Sequence, residues 1–244
     1  MSFGMLYQRS VIVACDVSLD YELETLVSAT WNIPHIGAYK VGFDLVISYG
    51  LPRIVGLIRS FPEKIPIIYD HQKGGTDTPP MGSKFAKVVR SSGANAVILF
   101  PLTGPVVAEK WIKTCQDEGL GVIVGGHMTH EKFLESEGGY ISDAAPFSIY
   151  TTAAKLGVTN FVVPGNKPEL IRTYRQHLEG MGVDTEKLQL FAPGFITQGG
   201  DISEAGKVAG ERWHAIVGSA IYEKHTWEAM HESALQLVQQ ISVD

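Results

Sequence analysis

The chain has 244 residues, 45% of them hydrophobic and 19% charged, with a formal net charge of −6. These values suit one soluble globular domain over residues 1–244, and the length is normal for a single α/β barrel. The acidic balance argues against nucleic acid or an anionic membrane as a partner held by bulk electrostatics, so any bound phosphate must be gripped by a local site.

The first apolar run, VIVACD (11–16), reads as a buried strand that delivers Asp16 at its end. Leu19, Leu23, Leu26, Val27 and Thr30 then recur at helical steps. GAYKV (37–41) is the second strand, carrying Lys40 within it, and Ile54, Leu57, Ile58 and Phe61 form the next helical stripe after Pro52. IPIIYD (65–70) ends in Asp70 and runs into HQKGGTDTPP. NAVILF (95–100) precedes a stripe of Val107, Trp111, Ile112 and Cys115, and GVIVGG (121–126) leads into HMTH. NFVVPG (160–165) is followed by Pro168 at a helix start and by Leu170, Ile171, Tyr174 and Leu178. LQLFAP (188–193) runs into PGFITQGGD, HAIVGS (214–219) into AIYE, and the stripe Trp227, Met230, Ala234, Leu237, Val238 and Ile241 closes the chain as core packing. Gly119, Gly157 and Gly180 mark helix ends.

Eight short, Val- and Ile-rich strands that are apolar on both faces alternate with helices, which predicts a (β/α)8 TIM barrel; an open doubly wound sheet is the alternative. Nothing in MSFGMLYQRS reads as a signal peptide, and no apolar run approaches the ~18–20 residues of a membrane span. Cys15 and Cys115 fall in apolar and helical segments, as reduced, buried thiols would, so a cytoplasmic location is expected.

In such a barrel, chemistry sits at the carboxyl ends of the strands. Asp16, Lys40, Asp70, Lys73 and Asp77 all fall there or in the loops that follow. Each has a plainer reading: Asp16 as a helix cap, Lys40 as an odd core residue, the trio Asp70, Lys73 and Asp77 as a solvated loop. Because strand side chains alternate, Asp70 and Lys73 meet only if the backbone kinks near His71 and Gln72, with Gly74 and Gly75 easing the turn. His71 and Gln72 then either face a substrate or merely form the kink. His127 and His130 have a spacing that could suit a metal, but without a carboxylate partner they read as polar loop histidines. The two histidines of KHTWEAMHE, His225 and His231, read as solvent-facing.

Taken in order, VIVACDV, YKVGFDL, YDHQKGGTDTP, GGHMTH, APGFITQGGD and AIVGSAIY resemble the segments of the orotidine 5'-monophosphate decarboxylase family across residues 11–222. The resemblance implies decarboxylation of orotidine 5'-monophosphate to uridine 5'-monophosphate, in pyrimidine biosynthesis, with no metal and no organic cofactor. It gives Lys73 the stabilisation and protonation of a C6 carbanion, with Asp70, Asp77 and Lys40 completing a charged catalytic network. Asp16 and Lys40 would touch ribose, Thr129 the pyrimidine edge, and Gln198 the phosphate, near Pro193, Gly199, Gly218 and Ser219. It also implies a homodimer with shared active sites, the second aspartate of the third-strand motif arriving from the partner subunit. Two departures stand out: the Asp70–Lys73–Asp77 spacing is longer by one residue at each step, and Ser219 replaces a phosphate-gripping arginine. Met81 also stands where a ribose-contacting threonine is common. The rival readings are a metal-dependent phosphosugar decarboxylase or aldolase of the same superfamily, which Lys40 argues against, and a catalytically inactive nucleotide-binding barrel.

Overall fold

The computed structural model describes residues 4–71, 74–196 and 199–241. Eight parallel strands close into a barrel, each hydrogen-bonded to the next and the last to the first. In chain order the elements are β1 (Arg9–Cys15), α1 (Asp20–Thr30), β2 (Ile36–Val41), α2 (Phe43–Tyr49), α3 (Leu51–Arg59), β3 (Ile67–Asp70), α4 (Met81–Ser91), β4 (Ala96–Leu99) and α5 (Pro105–Asp117). There follow β5 (Gly121–Gly125), α6 (Ala145–Lys155), β6 (Asn160–Val162), α7 (Pro168–Gly180), β7 (Gln189–Ala192), α8 (Ile202–Ala209), β8 (Trp213–Val217), α9 (Ser219–Tyr222) and α10 (Trp227–Ile241).

The strands are apolar on both faces because each face has its own core. Ile12, Ala38, Ile68, Ala96, Ile123, Val162, Phe191 and Ile216 fill the lumen. The alternate residues, among them Val11, Tyr39, Ile67, Val97, Val124, Phe161, Leu190 and Trp213, pack outward against the helices. Alternation therefore decides where a polar residue points. Lys40 has the parity of Ala38 and Asp70 that of Ile68, so both project into the lumen at its carboxyl end. At the opposite end Ser10, Gln189 and His214 form a buried polar floor.

The helical stripes lie where the sequence places them except at two ends: Leu19 precedes α1 and is exposed, and Trp227 at the start of α10 is exposed rather than core. Gly180 is the last residue of α7, as expected of a glycine marking a helix end, and the left-handed conformation follows at Gly182, at φ 81°. His231 does not face solvent: its Nδ1 lies 2.8 Å from the Ala29 carbonyl, and its ring stacks on Trp227 at 4.9 Å. It pins α10 to α1.

Candidate active site

Lys40 stands at the mouth of the lumen, 5% exposed. Its Nζ donates to Asp16 Oδ1 at 3.1 Å and lies 3.2 Å from Asp70 Oδ2. Asp16 comes one residue after β1 and keeps a half-exposed carboxylate, whereas Asp70 is the last residue of β3 and is as buried as Lys40. Burial by itself disfavours the ammonium, but the Asp70 and Asp16 charges and their hydrogen bonds outweigh it and raise the Lys40 pKa above its ordinary value. The residue stays a cation at any physiological pH. A buried ion network of this kind is weak evidence for stability, so its placement at a barrel mouth points to chemistry.

The network borders a cavity of about 310 Å³, also lined by Ile98, Phe100, His127, Thr129, Pro193, Gly218, Ser219 and Tyr222. Its floor depends on a close approach: a methyl group on Gly125 would sit 2.2 Å from the Phe100 ring. Glycine at the end of β5 lets that aromatic ring cap the lumen. The loop after β7 folds back on itself, the Ile196 N–H donating to the Gly200 carbonyl and the Gly200 N–H to the Gly194 carbonyl. Ile196 adopts φ 65°, a strained setting for a β-branched residue and of the kind found at ligand-binding loops.

His127 is not the polar loop histidine expected, for it is almost wholly buried. Its Nδ1 lies 2.7 Å from the Tyr174 hydroxyl, and its Nε2 accepts from Lys167 Nζ at 3.3 Å. Lys167 in turn donates to Glu137 at 2.8 Å, and Glu137 accepts from the backbone N–H groups of Phe133 and Leu134. Burial and the Lys167 charge push the His127 pKa down to about 4, so the ring is neutral. This chain of bonds fixes the loop that carries Thr129. Its members come from three separated segments; His127 lies in GGHMTH, while Glu137, Lys167 and Tyr174 belong to no motif read in the sequence.

The third-strand segment splits. Asp70 turns inward, while His71 turns outward, its Nδ1 2.6 Å from the Tyr69 hydroxyl. Gly74 and Gly75 then turn the chain onto β4: the Phe100 N–H donates to the Gly74 carbonyl, and Gly75 takes φ 88°. Gln72 and Lys73 lie outside the described residues, as does Gln198. Asp77 is absent from the lumen cavity of its own chain. It lines an outer groove with Tyr69, His71, Met81, Phe85, Val88 and others. Of the sequence-derived site residues, then, Asp16, Lys40, Asp70, Thr129, Pro193, Gly218 and Ser219 share one cavity. Asp77 and Gly199 do not line it.

A closed parallel barrel with a lysine–carboxylate network at the carboxyl ends of β1 to β3 has the architecture of a TIM-barrel enzyme with its active site at the barrel mouth. Residues 9–232 match the family model described as the orotidine 5'-phosphate decarboxylase / HUMPS family, and the chain belongs to that family. It is 28% identical over 235 residues to an orotidine 5'-phosphate decarboxylase of Methanosarcina mazei, covering 96% of both chains. A namesake from Methanocaldococcus jannaschii is also 28% identical, over 78% of this chain and 80% of its own. In fold the chain resembles the M. jannaschii orotidine 5'-monophosphate decarboxylase complexed with the inhibitor BMP, with a TM-score of 0.81 at 23% identity over 98% and 100% of the two chains. The Pyrococcus horikoshii orotidine 5'-phosphate decarboxylase gives 0.74 at 22% identity over 96% and 100%.

Proposed function

We propose that this protein decarboxylates orotidine 5'-monophosphate to uridine 5'-monophosphate without a metal or organic cofactor. The observation that carries the reading is the buried Lys40 cation held between Asp16 and Asp70 beside the lumen cavity, in a chain of this family. Loss of the carboxylate leaves a carbanion on C6 of the pyrimidine, so fixed charge must stabilise it. Lys73 is the residue assigned to that task and to protonating C6. An ammonium about 3 Å from the carbanion is worth roughly 5–6 kcal/mol at an effective dielectric near 20. That is about four powers of ten in rate, and binding energy from the phosphate must supply much of the rest.

Asp70 sits where a substrate carboxylate would be crowded by like charge. Asp16 and Lys40 take the ribose hydroxyls, and Thr129 the pyrimidine edge. Phosphate falls to Gln198, Gly199, Gly218 and Ser219 beside Pro193, where hydroxyl and backbone N–H groups replace an arginine.

The reading includes a cytoplasmic homodimer whose partner subunit supplies Asp77. Two features support the dimer. Asp77 and Met81 border an outer groove of about 740 Å³. Val88 in its lining exposes 67% of its surface, and on α2, whose Val46 also lines the groove, Phe43 and Ile47 expose 56% and 78%, apolar surface that a second copy would cover.

The test is consumption of orotidine 5'-monophosphate by the purified protein, with and without a chelator. Turnover indifferent to the chelator is expected. Loss of turnover on chelation would favour the metal-dependent branch of the superfamily, and tight binding of uridine 5'-monophosphate without turnover would favour an inactive nucleotide-binding barrel.

A further inference from the structure

A second cavity, of about 350 Å³, lies at the other end of the barrel, between α7, α8, the end of α10 and the start of β8. Its volume falls within the range of small-molecule sites. Three cations line it, Arg9, Arg175 and Lys207, against two carboxylates, Glu179 and Glu211. The lining is thus net positive in a chain of net charge −6. Glu179 pairs with Arg175 at 3.5 Å, and Lys207 pairs with Glu204 at 2.5 Å on an exposed helix face, while Arg9 reaches only the Gly210 carbonyl, at 3.4 Å. Ser203 and Thr185 add hydroxyls.

The observation that turns this from a charged cleft into a site is Trp213. The residue is 1% exposed and lines the cavity, yet its indole Nε1 has no hydrogen-bond partner among the described residues. An indole N–H can only donate, and a buried donor left unmatched costs about 1–3 kcal/mol. Helix α8 offers the indole N–H no side-chain acceptor and approaches it closely at a glycine. Gly206 faces the indole, and a methyl group there would stand 3.1 Å from Cζ2 and 3.6 Å from Nε1. Donors dominate this cavity, so its ligand must bring acceptors and negative charge.

We propose that this cavity is a second binding site, separate from the barrel mouth, for a small oxyanion of the phosphate or polycarboxylate class. Arg9 and Arg175 grip the anion, and Trp213 donates one hydrogen bond to it. Guanidinium groups suit such planar, multidentate contacts to oxyanions.

The experiment is calorimetry and tryptophan fluorescence with inorganic phosphate and, separately, citrate, on protein whose barrel mouth is already saturated with uridine 5'-monophosphate. Saturable binding is expected for one of the two anions, which identifies the phosphate or the carboxylate source. Arg175→Met should weaken it at least tenfold and Trp213→Phe about three- to tenfold, with turnover at the mouth unchanged in both. Trp213→Phe removes the N–H but leaves an aromatic ring in the core, and so guards against a variant that merely fails to fold. No saturable binding of either anion up to tens of millimolar, or binding indifferent to both substitutions, would overturn the proposal.

Discussion

The two ends of the barrel lumen solve the same problem in opposite ways. At the floor, Ser10 Oγ lies 2.8 Å from His214 Nδ1, and His214 Nε2 lies 3.1 Å from Gln189 Oε1. Burial pushes the His214 pKa down to about 3, so this polar layer is neutral. At the mouth, a lysine holds two carboxylates within ion-pair distance of its ammonium. Neutral groups satisfied by hydrogen bonds settle the strand register cheaply. Buried charges carry a desolvation cost that register alone would not justify. The contrast teaches that the floor is structural and the mouth chemical, and each end can be disturbed separately.

The largest expected effect is at the mouth. Lys40→Met removes the cation that joins Asp16 to Asp70 and leaves the buried Asp70 carboxylate without it. A fall in kcat/KM of about a thousandfold is expected in steady-state assays, about 4 kcal/mol of transition-state stabilisation. The floor should be unaffected, with the fold retained by circular dichroism. Next is acid stability, which belongs to the floor. His214 binds a proton in the unfolded chain below its ordinary pKa of 6.5 but not in the folded one until about 3. Its contribution is therefore complete above pH 6.5 and shrinks as pH falls toward 3, at about 1.4 kcal/mol per pH unit. Urea unfolding at pH 7 and pH 5 should show that loss, and His214→Gln should flatten the slope.

Smaller effects sharpen the boundary between the two ends. Gly125→Ala forces a methyl group into the Phe100 ring and should cost about 1–3 kcal/mol in denaturant unfolding while also raising KM, because that ring floors the cavity. Asp16→Asn should raise KM by only about tenfold, since the carboxylate is half in water and its pairing is screened.

Much of this was readable from residue order. A lysine at inward parity within GAYKV, and aspartates closing VIVACD and IPIIYD, are charged interruptions of strands that otherwise pack on both faces. That pattern located Asp16, Lys40 and Asp70. Helix α4 carried no such signal because small residues bury its face: Gly82, Ala86 and Val89, with Gly82 pressed against Trp111. Helix α8 likewise buries Ala205 and Ala209 beside Ile202 and Val208. The fit of Phe100 over Gly125 and the bonds joining Glu137, Lys167, His127 and Tyr174 were illegible, since each depends on segments brought together only by barrel closure. Asp77 was readable as a candidate but not by place: it borders an outer groove and not the lumen cavity of its own chain.

The most direct measurement is carbon dioxide release from orotidine 5'-monophosphate by the wild-type protein and by Lys73→Ala, with uridine 5'-monophosphate binding followed in parallel. The account predicts release by the wild type, none detectable from the variant, and nucleotide binding by both. Undiminished release from Lys73→Ala would contradict it.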